Sequence, residues 1–195
     1  MVEKATVTLT LGSGAGSVWA GGPSARVATF LLDNTHGNCH TTWNQFGSPV
    51  YPTAAQFDAM RHAMEIPLLN IQPATATLDL DVTLPGVVLV HMCDDPGHVP
   101  AAVTNVRLHR TPTRSPPEVL VRWDDAVNRC VQTYEVLYQP TGGQSWQRVN
   151  SPGTIFNSFI HANNATAFPA TGCYTIVSVD YWNRSSAPSA AVCLH

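Results

Sequence analysis

The clearest periodicity in the chain lies in residues 118–139. Val119, Val121 and Trp123 alternate with Leu120 and Arg122, and Tyr134, Val136 and Tyr138 alternate with Glu135 and Leu137. A period of two in β-branched and aromatic residues predicts two β-strands, joined here by a polar turn. Trp123 is large enough to fill a sandwich core from one strand, and a buried indole calls for an acceptor for its N–H. Residues 174–189 predict a third strand that runs into a hairpin. Further strand-like segments fall at 103–109, 146–149, 155–160 and 189–193, with turn clusters between them. Residues 103–195 therefore read as a seven-strand sandwich, with Trp123, Tyr134 and Tyr174 as core.

The first half is less regular. Residues 5–11 (ATVTLTL) and 26–32 (RVATFLL) read as strands on either side of a Gly/Ser-rich connection, and 33–52 as a long loop. Thr53 with Gln56 has the capping-box spacing. It predicts a helix at about 53–64 that packs through a stripe of Phe57, Met60 and Met64 and stops before Pro67. Residues 73–81 alternate, with Leu78 and Leu80 opposed to Thr77, Asp79 and Asp81. Residues 87–92 (VVLVHM) are almost continuously apolar, which predicts a central buried strand. The segment 94–102 (DDPGHVPAA) is polar, holds two prolines and a glycine, and reads as a linker. The expectation is an all-β chain of two β-sandwich domains. The first spans 1–93, is incomplete and carries one short helix; the second spans 103–195.

Composition agrees with this. Charged residues make up 12% of the 195, while proline (15) and glycine (13) are plentiful, as suits many turns. A net charge of −3 gives no reason to expect nucleic acid or an anionic membrane as partner. No run of about 18 apolar residues is present to suggest a transmembrane span. The start, MVEKATVTLT, lacks the basic and apolar regions of a signal peptide. Five cysteines and two sequons, at Asn164 and Asn183, nevertheless suit the secretory pathway. A longer parent chain, of which this is a piece, reconciles the two.

A bond between Cys93 and Cys130 would tie the first half to the second. Cys173 and Cys193 lie ten residues either side of Asn183 and would face each other across a hairpin there. Cys39 is left over. Five unbonded thiols remain the alternative at this point.

The sequence offers little catalytic chemistry. His36, Cys39 and His40 cluster, but no second Cys/His pair stands at zinc spacing. His91 reads as a core histidine, and His161 and His195 have no visible partners. The acidic pairs Asp94–Asp95 and Asp124–Asp125 sit in turns, where aspartate usually bonds its own backbone. The glutamates are Glu3, Glu65, Glu118 and Glu135, none of them at the end of a βα unit where a glycosidase pair is expected. No nucleophile elbow, phosphate loop or dinucleotide fingerprint occurs. Trp43, Trp146, Tyr181 and Trp182 could form a sugar-stacking face, although such residues more often pack a core. No catalytic residue, metal site or cofactor is expected.

The order of a tryptophan strand, a Tyr-x-Val-x-Tyr strand and a late Tyr-x-Ile-x-Ser-x-Asp strand resembles a fibronectin type III domain. A more specific resemblance is carried by LLDN (31–34), GSPVYPTAAQFDAMRHA (47–63), VVLVHMC (87–93), TYEVLYQ (133–139), FNSFIH (156–161) and VDYW (179–182). In this order and spacing they resemble the C-terminal part of the α-L-iduronidases, glycoside hydrolases of family 39, over nearly the whole chain. The resemblance implies a β-sandwich followed by a type III-like domain, behind a catalytic (β/α)₈ barrel that holds the family's catalytic glutamates. It implies a disulfide between Cys93 and Cys130, and carries no pattern for Cys173 and Cys193. It further implies a lysosomal or secretory location, the barrel as partner, and a parent reaction that releases terminal α-L-iduronic acid from dermatan and heparan sulfate. The competing expectation is a free-standing carbohydrate-binding or adhesion module, which should lack a large apolar patch where a barrel would sit.

Overall fold

The computed structural model describes residues 4–10, 22–111, 118–125, 130–161 and 171–195. Most of the Gly/Ser-rich connection, much of the turn after Trp123, Glu3 and the Asn164 sequon lie outside them. The chain divides into two compact units, Met1–Asp95 and Pro96–His195.

The first unit has five strands: β1 (Lys4–Thr10), β2 (Arg26–Asp33), β3 (Leu68–Pro73), β4 (Thr77–Thr83) and β5 (Gly86–Cys93). They form two antiparallel sheets, one ordered β3-β2-β5 and the other pairing β1 with β4. Strand β2 is central and packs on both faces, burying Val27 and Leu31 on one and Ala28 and Phe30 on the other. Leu78 and Val82 of β4 are buried as well. On the opposite face of β4, Asp79 and Asp81 accept hydrogen bonds from the hydroxyls of Thr8 (2.6 Å) and Thr6 (2.8 Å), each directly across the pair. This explains the alternation of leucine with aspartate.

Two helices, α1 (Cys39–Gln45) and α2 (Ala54–Ala63), lie between β2 and β3 and pack together. The capping box of α2 is complete: the Gln56 backbone N–H donates to Thr53 Oγ1 at 3.3 Å, and the Thr53 N–H donates to Gln56 Oε1 at 2.8 Å.

Four expectations are corrected here. The long loop contains α1, whose residues CHTTWNQ carry no apolar stripe; its local start signal is Asn38, which caps the His40 N–H at 3.0 Å. The stripe on α2 is not packed away, since Phe57 and Met64 are exposed. The strand read at 73–81 is β4, shifted toward the C-terminus, and β3 precedes it unannounced because LLNIQP alternates poorly. Strand β5 is not central but lies at the edge of its sheet.

The second unit has seven strands: β6 (Thr104–Thr111), β7 (Glu118–Asp124), β8 (Val131–Pro140), β9 (Gln147–Arg148), β10 (Ser158–His161), β11 (Gly172–Asp180) and β12 (Val192–Leu194). One sheet runs β10-β7-β6 and the other β12-β11-β8-β9, all antiparallel. Val119, Val121 and Trp123 from the first sheet meet Tyr134, Val136, Tyr138, Tyr174 and Ile176 from the second in one core. Trp123 is fully buried and meets Tyr134 edge-on, with ring centroids 5.1 Å apart. Its indole N–H finds no acceptor among the described residues, contrary to expectation. The edge-on aromatic contact orients the ring instead.

Side chains complete the ladders where strands stop. The Asn150 carboxamide accepts from the Val136 N–H at 2.8 Å and donates to the Tyr134 carbonyl at 2.7 Å, continuing the edge beyond the two-residue β9. Pro188 has no N–H to donate to β11. The hydroxyls of Ser186 and Ser189 accept from the N–H groups of Ser178 and Ile176, both at 3.0 Å, so the segment before β12 stays attached to its neighbour. Cys173 and Cys193 lie directly opposite each other on β11 and β12 and form a disulfide.

Candidate functional site

The residues singled out for chemistry do not converge within either unit. In the first unit, the buried Asp33 carboxylate accepts from the Thr35 N–H (2.7 Å), the Thr35 hydroxyl (2.9 Å) and the His36 N–H (2.8 Å), and contacts His36 Nδ1 at 3.0 Å. Burial raises its pKa, but the hydrogen bonds from Thr35 and His36 outweigh this and bring it to about 2. This is a turn-locking aspartate. Cys39 is a free thiol at the start of α1. No group of three ligand-type side chains among the described residues could hold a metal ion.

The acidic pairs are each committed elsewhere. Asp94 accepts from the Gly22 N–H at 3.0 Å. Asp124 pairs with Arg107 and accepts from Asn105, while Asp125 accepts from the Tyr134 hydroxyl at 2.7 Å. The four aromatic residues are divided between the two units. Trp43 belongs to the first unit and donates to the Pro49 carbonyl at 3.1 Å. In the second unit Tyr181 is buried, burial pushing its hydroxyl up to about 12, and Trp182 lies under the Arg184 guanidinium, 5.0 Å from ring centroid to Cζ.

His161 carries no local signal of a role, yet it is buried in the second unit. Its Nδ1 lies 2.8 Å from the Tyr174 hydroxyl, and its ring meets Tyr138 edge-on at 5.0 Å. The Tyr138 hydroxyl in turn donates to the Thr171 carbonyl at 2.7 Å. Burial lowers the His161 pKa and raises those of Tyr138 and Tyr174. The pairing was invisible because thirteen residues and a change of sheet separate the partners.

A pH dependence follows. The folded state holds His161 neutral below its ordinary pKa of about 6.5, so the unfolded chain binds the extra proton first. The stability this contributes is fully present above about pH 6.5 and is lost as the pH falls toward the lowered folded value. Urea midpoints should drop between pH 7.5 and pH 5, and His161→Phe should flatten that slope. Parallel slopes for the two proteins would refute the assignment.

The most distinctive surface is apolar. Residues directly opposite in an antiparallel pair share a face. Val87 stands opposite Leu32, and Leu89 opposite Phe30. Phe30 is buried, but Leu32 is exposed, and Val87 and Leu89 are 64% and 58% exposed. On one face of edge strand β5 the first two side chains, Val87 and Leu89, are thus apolar and exposed, while His91 is half-buried and Cys93 buried. Between the helices of the same unit, Val50 and Tyr51 are 83% and 90% exposed, in a segment that the Trp43 indole holds at Pro49. Exposed apolar side chains gathered on a strand edge mark a candidate interaction surface, and a bare apolar edge strand invites aggregation.

Comparison with known proteins places these features in a family. Residues 108–195 match the family described as the alpha-L-iduronidase C-terminal domain. Alpha-L-iduronidase of Canis lupus familiaris is 33% identical over 171 residues, covering 84% of this chain and 25% of that protein. The Homo sapiens enzyme is 33% identical over 168 residues with the same coverage. A solved structure described as the bacterial orthologue of human α-L-iduronidase superposes with a TM-score of 0.76 at 22% identity, covering 100% of this chain and 33% of that one. At that identity it supports the fold alone. The chain spans about a quarter of the length of the curated relatives it matches. The chain belongs to the α-L-iduronidase family, its residues 108–195 matching that family's C-terminal domain.

Proposed function

We propose that this chain is the non-catalytic accessory region of a longer α-L-iduronidase-type glycosidase, and that its first unit supports the catalytic barrel. The observation that carries this is the exposed apolar cluster of Val87 and Leu89 on edge strand β5, with Leu32 of β2 opposite Val87. A free-standing carbohydrate-binding module has no use for such a face. A chain that spans about a quarter of its relatives' length has an obvious occupant for it, the preceding part of the parent. By the family relationship, the parent hydrolyses terminal α-L-iduronic acid in dermatan and heparan sulfate within the lysosome or secretory pathway.

The second unit is read as fibronectin type III-like. Its three-plus-four strand arrangement and the tryptophan on its second strand support that. Cys93 and Cys130 are both disulfide-bonded, Cys39 is free, and Cys173 is bonded to Cys193. These assignments favour a Cys93–Cys130 bond that tethers the units. Replacing Cys130 or Trp182 in the parent then lowers folded yield and leaves turnover per folded molecule unchanged.

The test begins upstream of Met1. The reading frame should continue into a barrel with paired glutamates. In that longer protein Leu89→Asp should remove about 2 kcal/mol of apolar burial and lower secreted yield without changing kcat. In the isolated chain the same substitution should leave stability nearly unchanged and reduce self-association. A stop codon with an untranslated leader immediately before Met1 would leave the face without its occupant and overturn the proposal.

A further inference from the structure

We propose that Asn183 is an N-glycan acceptor, an inference that rests on the secretory-pathway reading above. The turn after β11 is organised by Asp180 rather than by Asn183. The Asp180 carboxylate accepts from the N–H groups of Trp182 and Arg184, both at 2.9 Å, and from Arg184 Nε at 2.8 Å. The Asp180 carbonyl accepts from the Asn183 N–H at 3.0 Å, and the Asp180 N–H donates to the Arg184 carbonyl. Ser185 pairs back onto Val179, which closes the hairpin.

Asn183 sits at the tip with φ +59° and is exposed. Among the described residues neither its carboxamide nor the Ser185 hydroxyl has a hydrogen-bond partner. A left-handed position by itself accounts for an asparagine. It does not account for the unengaged carboxamide together with an exposed serine two residues on, the pattern of an acceptor sequon with Arg184 between. The Cys173–Cys193 disulfide in the same unit fits folding in an oxidising compartment, where glycan transfer takes place.

The donor is a lipid-linked oligosaccharide carried on a polyprenyl diphosphate. The Asn183 Nδ2 attacks the anomeric carbon, forming a C–N bond. The C–O bond to the diphosphate breaks, the diphosphate leaves with the electron pair, and the carboxamide gives up one proton. Because Asp180 holds the turn, a sugar on Nδ2 displaces no bond that shapes the hairpin. An occupied Asn183 also requires that this hairpin tip face solvent in the parent, so the barrel's contact lies elsewhere.

The experiment secretes the full chain behind a leader from a eukaryotic host and treats it with peptide N-glycosidase. Asn164→Gln removes the other sequon. The remaining chain should show one enzyme-sensitive mobility step, with conversion of Asn183 to aspartate seen by mass spectrometry. Ser185→Ala and Asn183→Asp should each abolish the step, the latter keeping a residue suited to positive φ. An unmodified Asn183 in secreted protein with an intact Cys173–Cys193 bond overturns this inference and leaves the secretory reading standing. Protein from the natural source with Cys173 and Cys193 reduced and no sugar at either sequon overturns the secretory reading itself.

Discussion

Trp123→Ala should destabilise the second unit by about 3–5 kcal/mol, the range for truncating a large aromatic residue in a packed core. Trp123 is fully buried between the two sheets, against Tyr134. The neighbouring valines are already packed, so little can move in to fill the space. A marginal domain has roughly 5–15 kcal/mol to lose in all. The replacement should therefore leave much of the second unit unfolded at 37 °C. Trp123→Phe supplies the contrast. The indole N–H has no acceptor among the described residues, so phenylalanine sacrifices volume but no hydrogen bond there. It should cost clearly less than alanine. Urea unfolding followed by tyrosine fluorescence would measure both. Equal losses for the two variants would mean that the indole N–H, and not the ring volume, matters.

The second large effect is expected at the C-terminal strand. β12 has three residues, and Cys193 in its middle is bonded to Cys173 on β11. With the two cysteines 20 positions apart in sequence, the chain-entropy contribution of closing the loop is about 3 kcal/mol. The three-residue ladder is too short to hold an edge strand by itself, so the double replacement Cys173→Ala with Cys193→Ala should release β12 and lower stability by about that amount. This pair leaves Cys93 and Cys130 untouched, which simple reduction does not. Amide exchange should show early loss of protection at Val192–Leu194 and along the facing end of β11. A change below about 0.5 kcal/mol would mean that the ladder and the serine bonds hold the strand unaided.

These predictions rest on features of unequal legibility. The alternation of Val119, Val121 and Trp123 against Leu120 and Arg122 placed β7 and its buried face. The capping pair Thr53 and Gln56 placed the start of α2. Both signals are local, set by side-chain direction along a strand or by bonds within one helical turn. Helix α1 escaped notice because its residues have no apolar period. The acidic pairs were read as turn residues without their partners Arg107, Asn105 and Tyr134, which come from other strands.

The hydrophobic pattern alone therefore determined that this is a strand-rich chain, where most strands of the second unit run, and which of their faces turn inward. The quoted stretches also determined the family, since they depend only on residue identity and order. Tertiary structure decided the strand order, the direct opposition of Cys173 and Cys193, the pairing of His161 with Tyr174, and the lack of an acceptor for Trp123 among the described residues. It also decided the fate of 87–92. A run of valine and leucine shows that a strand prefers cover on both faces, but not whether the cover is present. Cover comes from residues far away in sequence, and at Val87 and Leu89 of β5 the described residues do not supply it.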